Sequence, residues 1–161
     1  MSSKDSINEA KYVTAFATKL AAGTDTTLKG LAVDTAGYES AEAIVAVGNS
    51  PETLAGSLYI QPKLLASDTT VDGDFVAVPE ADMIGGSAQT SGTDGEIALI
   101  NAPTEDLLVY VAGYRGSKRY LRVDFVLVGA NTTGASVSAT VRLSHARQTP
   151  GGTCAAGAAL T

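Results

Sequence analysis

The chain has 161 residues, 45% of them hydrophobic and only 17% charged, with a formal net charge of −6. That length suits one domain whose core needs no covalent staples, and the single cysteine, Cys154, has no intrachain partner for a disulfide. So few charges leave solubility to Ser, Thr, Asn and Gly, which fits a β-rich surface better than a helical enzyme; an acidic chain is also a poor match for duplex DNA.

Residues 1–11 are polar without a decisive period and are expected to form an arm or a short helical start. Tyr12 to Leu20 sets Tyr12, Thr14, Phe16 and Thr18 against Val13, Ala15 and Ala17, and its β-branched and aromatic content favours a strand over an amphipathic helix. A turn at Gly23–Thr27 leads to a short strand, Leu28–Asp34, and then to the turn Thr35-Ala36-Gly37. Ala41–Val47 is nearly all apolar and predicts a central strand covered on both faces. Pro51 follows its end. Gly56–Leu64 is the next strand, in which Pro62 predicts an edge position or a bulge. Asp68–Asp74 turns into a short strand, Phe75–Val78. A loop rich in Gly, Ser and Thr covers Asp82–Gly95, and Glu96–Ile100 resumes the sheet.

Three closing strands follow the turn at Asn101–Asp106: Leu107–Ala112, Tyr120–Val128 and Ser136–Ser144. The last two alternate strictly. Leu121, Val123, Phe125 and Leu127 are predicted inside with Tyr120, Arg122 and Asp124 outside; Val137, Ala139, Val141 and Leu143 are inside with Ser136, Ser138, Thr140, Arg142 and Ser144 outside. A two-residue period is what a half-buried antiparallel sheet requires. Eight or nine short strands joined by Gly and Asx turns, without a long helix, predict an all-β fold: an antiparallel β-sandwich, jelly-roll or immunoglobulin-like. It spans residues 12–150, behind the 1–11 arm and ahead of a mobile Ala/Gly tail at 151–161.

The charge is segregated along the chain. Residues 1–114 hold sixteen acidic and five basic side chains, residues 115–161 one acidic and six basic. Opposite charges kept apart either set the register with a neighbouring molecule or pair inside one fold, the basic stretch lying against acidic loops. No apolar run reaches membrane-spanning length, and Met1-Ser2-Ser3-Lys4-Asp5 lacks the hydrophobic stretch of a secretory leader. The expectation is a protein made in the cytosol that later joins something else.

No reactive constellation stands out. His145 is the single histidine, with neither a second imidazole for zinc nor a motif that positions a nucleophile. Asp68, Asp72 and Asp74 do not fit an EF-hand spacing and read as a tight turn, with a weak cation site as the alternative. Gly113-Tyr114-Arg115-Gly116-Ser117-Lys118 joins two strands rather than opening a helix, which argues for a hairpin connection over a phosphate cradle. Arg115, Lys118, Arg119 and Arg122 interleave with Tyr114 and Tyr120, a pattern shared by solvated faces, protein interfaces and single-strand stacking platforms.

Three stretches carry a family resemblance: Asp34-Thr-Ala-Gly37-Tyr38-Glu39-Ser40-Ala41, Ser67-Asp68 through Asp72-Gly73-Asp74-Phe75, and Gly113-Tyr114-Arg115-Gly116-Ser117-Lys118-Arg119-Tyr120-Leu121-Arg122-Val123. Over about residues 30 to 150 the chain resembles small structural proteins of tailed bacteriophages encoded beside the major capsid protein. The resemblance implies a capsid decoration (cement) protein, non-enzymatic and without cofactor or metal. It implies docking on the outside of the head, with the major capsid protein and copies of itself (dimer or trimer) as partners, and neither nucleic acid nor membrane. An N-terminal arm commonly adds contacts in such proteins. The candidate interface is therefore Lys4, Asp5, Ile7 and Lys11 of the arm with Tyr114, Arg115, Lys118, Arg119, Tyr120 and Arg122. A tail or head-tail protein is one rival reading, and a carbohydrate-binding sandwich is another, disfavoured by the absence of Trp.

Overall fold

The two alternating runs that close the sequence are one strand. In the computed structural model, which describes residues 10–87 and 91–146, Tyr120–Ala146 forms a single 27-residue strand. The strands in chain order are β1 Ala10–Leu28, β2 Val33–Asp34, β3 Tyr38–Val47, β4 Tyr59–Ser67, β5 Val76–Ala77, β6 Met83–Gly85, β7 Val109–Tyr114 and β8 Tyr120–Ala146. Among the described residues all pairing is antiparallel, and the eight strands belong to one sheet, ordered β5-β4-β8-β3-β7-β6 with β1 and β2 also on β8. The all-β expectation therefore holds. Where a sandwich of two separate sheets was expected, one sheet supplies both layers.

The layering follows from one contact. Phe16 of β1 stands near Ala139 of β8 in the ladder, while Phe125 lies fourteen positions earlier on β8. Along a straight strand that is roughly 45 Å. The two rings nevertheless meet edge to face at 4.8 Å, so the β1/β8 ribbon folds back on itself. The bend sits where the ladder slips between Ala21 and Gly23 and between Thr24 and Thr26. Gly134 there has φ +73°, and a Cβ on it would lie 2.7 Å from the Ala21 backbone. Only glycine satisfies both the left-handed backbone and the close approach. The turn expected at Gly23–Thr27 is thus a kink inside β1, and of the strand expected over Leu28–Asp34 only Leu28, which ends β1, and Val33–Asp34, which form β2, are strand.

The first half of β8 pairs with β4, and its second half with β3, which continues to β7 and β6. Inward residues of both halves meet in the middle. Leu121, Val123, Phe125, Leu127, Val137, Ala139, Val141 and Leu143 are all buried, as their alternation predicts. Residues 95–100, of which Glu96–Ile100 were expected as a strand, lace the layers together through isolated bridges. They bond β4 at Ile60, Pro62 and Leu64, while Ser87, just beyond β6, donates to the Ile97 carbonyl at 3.0 Å.

Two local readings change with this arrangement. β3 is central by pairing, but its faces are unequal: Ala41, Ala43, Val45 and Val47 are buried, whereas Ile44 is half-buried and Ala46 exposed. Pro62 is buried in register with Phe125, and no bulge forms there. Ile60, Pro62 and the Leu64 amide direct backbone groups to residues 95–100, away from β8. The missing Pro62 donor thus falls on the irregular side of β4, the position that a proline tolerates.

Candidate functional site

The first and last of the stretches that carry the resemblance, about eighty residues apart in sequence, fold against each other. Both are layer crossings. Residues 35–37 pass from β2, on the first half of β8, to β3 on the second half; residues 115–119 pass from β7 to the start of β8. β7 and β8 are not paired with each other, because β3 lies between them, so the second crossing is not the hairpin expected from sequence.

Each crossing is held by its own side chains. Asp34 accepts the Ala36 amide at 2.9 Å, and the Tyr38 amide bonds the Thr35 carbonyl at 3.1 Å. Gly37 at φ +88° supplies the left-handed residue that such a turn needs. In the other crossing the Tyr114 hydroxyl accepts the Lys118 amide at 2.8 Å, and the chain passes so close over the Tyr114 ring that a Cβ at Gly116 would lie 2.6 Å from it. The crossings then lock together. Thr35 donates its amide (2.9 Å) and hydroxyl (2.7 Å) to the Arg119 carbonyl, and the Arg119 guanidinium grips the Asp34 carboxylate through two nitrogens at 3.0 and 2.8 Å. Between them opens a cleft of about 620 Å³, lined by residues 35–41, 114–119 and Ile84.

The cleft's charge is mostly internal. Arg119 pairs with Asp34 and lies 5.1 Å over the Tyr120 ring, and Lys118 pairs with Asp68. Arg115 donates to the Ala81 carbonyl at 2.7 Å. Arg122 is not on the outward face. It is 6% exposed, stacked 4.4 Å from the Phe75 ring, and paired with Asp124 and Asp72. The alternation that put Arg122 and Asp124 outside fails because residues 29–32 and the 68–75 loop cover that face of β8. Gly30 donates to Asp124 at 2.9 Å, and Lys29 bonds Asp72. Of the two explanations for the segregated charge, pairing within the fold accounts for Lys118, Arg119 and Arg122. Tyr114 is also buried, so a Tyr114/Tyr120/Arg122 stacking platform does not assemble.

The acidic turn is consumed likewise: Asp68 and Asp72 hold cations of the chain, and Asp74 accepts the Thr69 hydroxyl. Among the described residues no group of three or more His, Cys, Asp or Glu is placed to hold a metal ion. Lys4, Asp5 and Ile7, and the tail at 151–161, lie outside the described residues. Lys11 is described, as a residue of β1 rather than of an arm. It stands opposite Leu143, which pairs with Ala41 and through it with Tyr114. The described start of the chain and the 114–120 segment thus converge on one end of the molecule. Sequence reasoning missed Thr35, Tyr38 and Ile84 as cleft residues; only the Gly37-Tyr38 pair gave a local signal.

The Arg119 guanidinium holds the Asp34 carboxyl below its ordinary value of 3.8, with help from the Ala36 amide. A depressed folded-state value means that the grip contributes fully above the ordinary value and is lost as pH falls through the lowered one. Carboxyl-carbon NMR titration should find Asp34 below 3.8, and Arg119→Gln should return it towards that value. An unchanged titration would remove the grip as the cause.

No protein-family model matches the chain. No curated protein matches it either. Among solved structures it is similar to one titled "Crystal structure of SPBc2 prophage-derived protein YomS", with 14% identity over 84% of this chain and 94% of that one and a TM-score of 0.42. At that distance the likeness carries no argument about family or function.

Proposed function

We propose that this is a non-enzymatic virion protein that decorates the bacteriophage head, bound to the major capsid protein on the capsid surface and acting by protein–protein contact. The partner comes from the sequence resemblance at Asp34–Ala41 and Tyr114–Val123. The observation that carries the reading is structural: these two stretches interlock into one corner, and β1 starts on the same end of the molecule. Nearly every cation of that corner is already tied to an acid or a carbonyl, so its shape is fixed before any partner arrives. Preorganisation of this kind lowers the entropy lost on docking. Weak contacts repeated by the symmetry of a shell then add up through avidity.

In this reading Lys4, Asp5 and Ile7 supply capsid contacts, while Lys11, Arg115 and Tyr120 frame the docking surface. Deleting residues 2–9 removes no described strand residue and should leave the melting temperature nearly unchanged while abolishing co-sedimentation with undecorated heads. Normal decoration by the truncated protein would rule out the arm. Cryo-microscopy of decorated heads with the corner turned away from the lattice would rule out the corner.

A further inference from the structure

The large apolar side chains left exposed among the described residues are not evenly scattered. Of ten, five (Ile84, Leu107, Leu108, Val109 and Val111) belong to β6, β7 and the residues leading into β7, and each is between 45% and 69% exposed. Register puts Val111 opposite Ile44, Val109 opposite Ala46 and Ile84 opposite Gly113 on one outer face continuous with β3, whereas Leu108, whose carbonyl accepts the Val47 amide, falls on the other side by alternation. Farther from β7 the same face becomes polar, with Thr140 opposite Ile44 and Ser138 opposite Ala46 on β8.

We propose that this face packs against the same face of a second copy across a two-fold axis, sheet upon sheet. Two stacked sheets approach to about 10 Å and bury side chains that would otherwise face water, and an isologous contact needs only one self-complementary patch. Charge favours this surface. Two copies each carrying −6 repel, but the charged residues in these rows, Glu42 and Arg142, already neutralise each other at 2.8 Å. The face is therefore one on which like molecules meet without an uncompensated charge. Area sets the strength. The side chains on this face present about a few hundred Å² of apolar surface, well below the ~800 Å² per partner in a standard interface. With Ile44, Ala46 and their polar neighbours added, a reversible dimer results rather than an obligate one.

Leu107, at the edge of the same patch, adds a backbone observation. It is a bulky residue at φ +54° and the most exposed large apolar side chain of the described residues, at 69%. Positive φ is uncommon for a bulky residue, and backbone strain of this kind is a pointer to function. The inference does not depend on what the corner binds.

Sedimentation equilibrium of the full chain tests it. The expected result is a monomer–dimer equilibrium between micromolar and near-millimolar concentration. The double variant V109K/V111K should raise the dissociation constant by more than about tenfold with unchanged far-ultraviolet circular dichroism. Leu107→Gly supplies a second readout that does not risk the fold, since glycine accepts φ +54°: it should melt no lower than the parent yet dimerise more weakly. A monomer at every concentration, a dimer insensitive to both variants, or a closed trimer would each overturn the proposal. So would a monomeric parent whose lysine variant loses only head binding, because the face would then belong to the head.

Discussion

Phe125→Ala is expected to destabilise the protein by about 3–5 kcal/mol, the usual range for emptying a buried phenylalanine site. Phe125 is fully buried, and its ring meets Phe16 edge to face at 4.8 Å. This contact joins the two layers across the fold in the β1/β8 ribbon, so the loss falls where one part of the sheet is held onto another. Collapse around the vacancy is restricted because Phe125 is paired on both sides, to Leu28 of β1 and Pro62 of β4. Against a total stability of about 5–15 kcal/mol for a small domain, the variant should show a clearly lower urea midpoint. The slope of the transition should stay the same if the native fold is kept. Phe16→Leu, which keeps much of the apolar bulk but loses the ring pair, should cost less. A Phe125→Ala midpoint within error of the parent would mean that the layers are held together elsewhere.

Asp124→Ala should be comparably damaging, at about 3–5 kcal/mol, for an electrostatic reason. Asp124 is 3% exposed and accepts both the Arg122 guanidinium at 2.9 Å and the Gly30 amide at 2.9 Å. Removing one member of a buried pair leaves the other charge desolvated, and that loss exceeds any net worth of the pair itself. Asp72 still reaches Arg122 from the surface, which places the expected cost nearer the lower end. The double variant Arg122→Leu/Asp124→Leu removes both charges and should recover much of the loss, since apolar replacement of a buried pair is often neutral. Urea unfolding of the single and double variants decides the matter. A double variant no better than Asp124→Ala would show that the Gly30 bond and the Phe75 stack matter more than the charge.

The remaining basic residues of the corner behave differently. Lys118 and Arg119 pair with acids at half-exposed positions, where salt screens the attraction and side-chain ordering offsets it. Their value is geometric: Arg119 fixes the two layer crossings to each other through Asp34, and Lys118 ties the second crossing to Asp68 in the acidic turn.

How much of this was legible in the residues depends on whether the cause was local. Strand alternation is local, and it placed Leu121, Val123, Phe125, Leu127, Val137, Ala139, Val141 and Leu143 inside correctly. The all-β class follows from the same period and from the turn residues between runs. Gly37 marked its turn because only that residue type fits φ +88° cheaply.

Three features had no local cause. The continuity of β8 through residues 129–135 arises because β1 pairs along nearly its whole length and carries it through two positive-φ glycines, Gly129 and Gly134. The burial of Arg122 and Asp124 arises because residues 29–32 and 68–75, distant in sequence, close over that face; a two-residue period reports which side a residue faces, not what arrives to cover it. The corner itself exists because both crossings leave the same end of a folded sheet. Sequence alone determined that the chain forms strands and which side chains most of them turn inward. Only tertiary structure decided that one sheet folds into two layers, because the contact between Phe16 and Phe125 is set by long-range packing that no local pattern encodes.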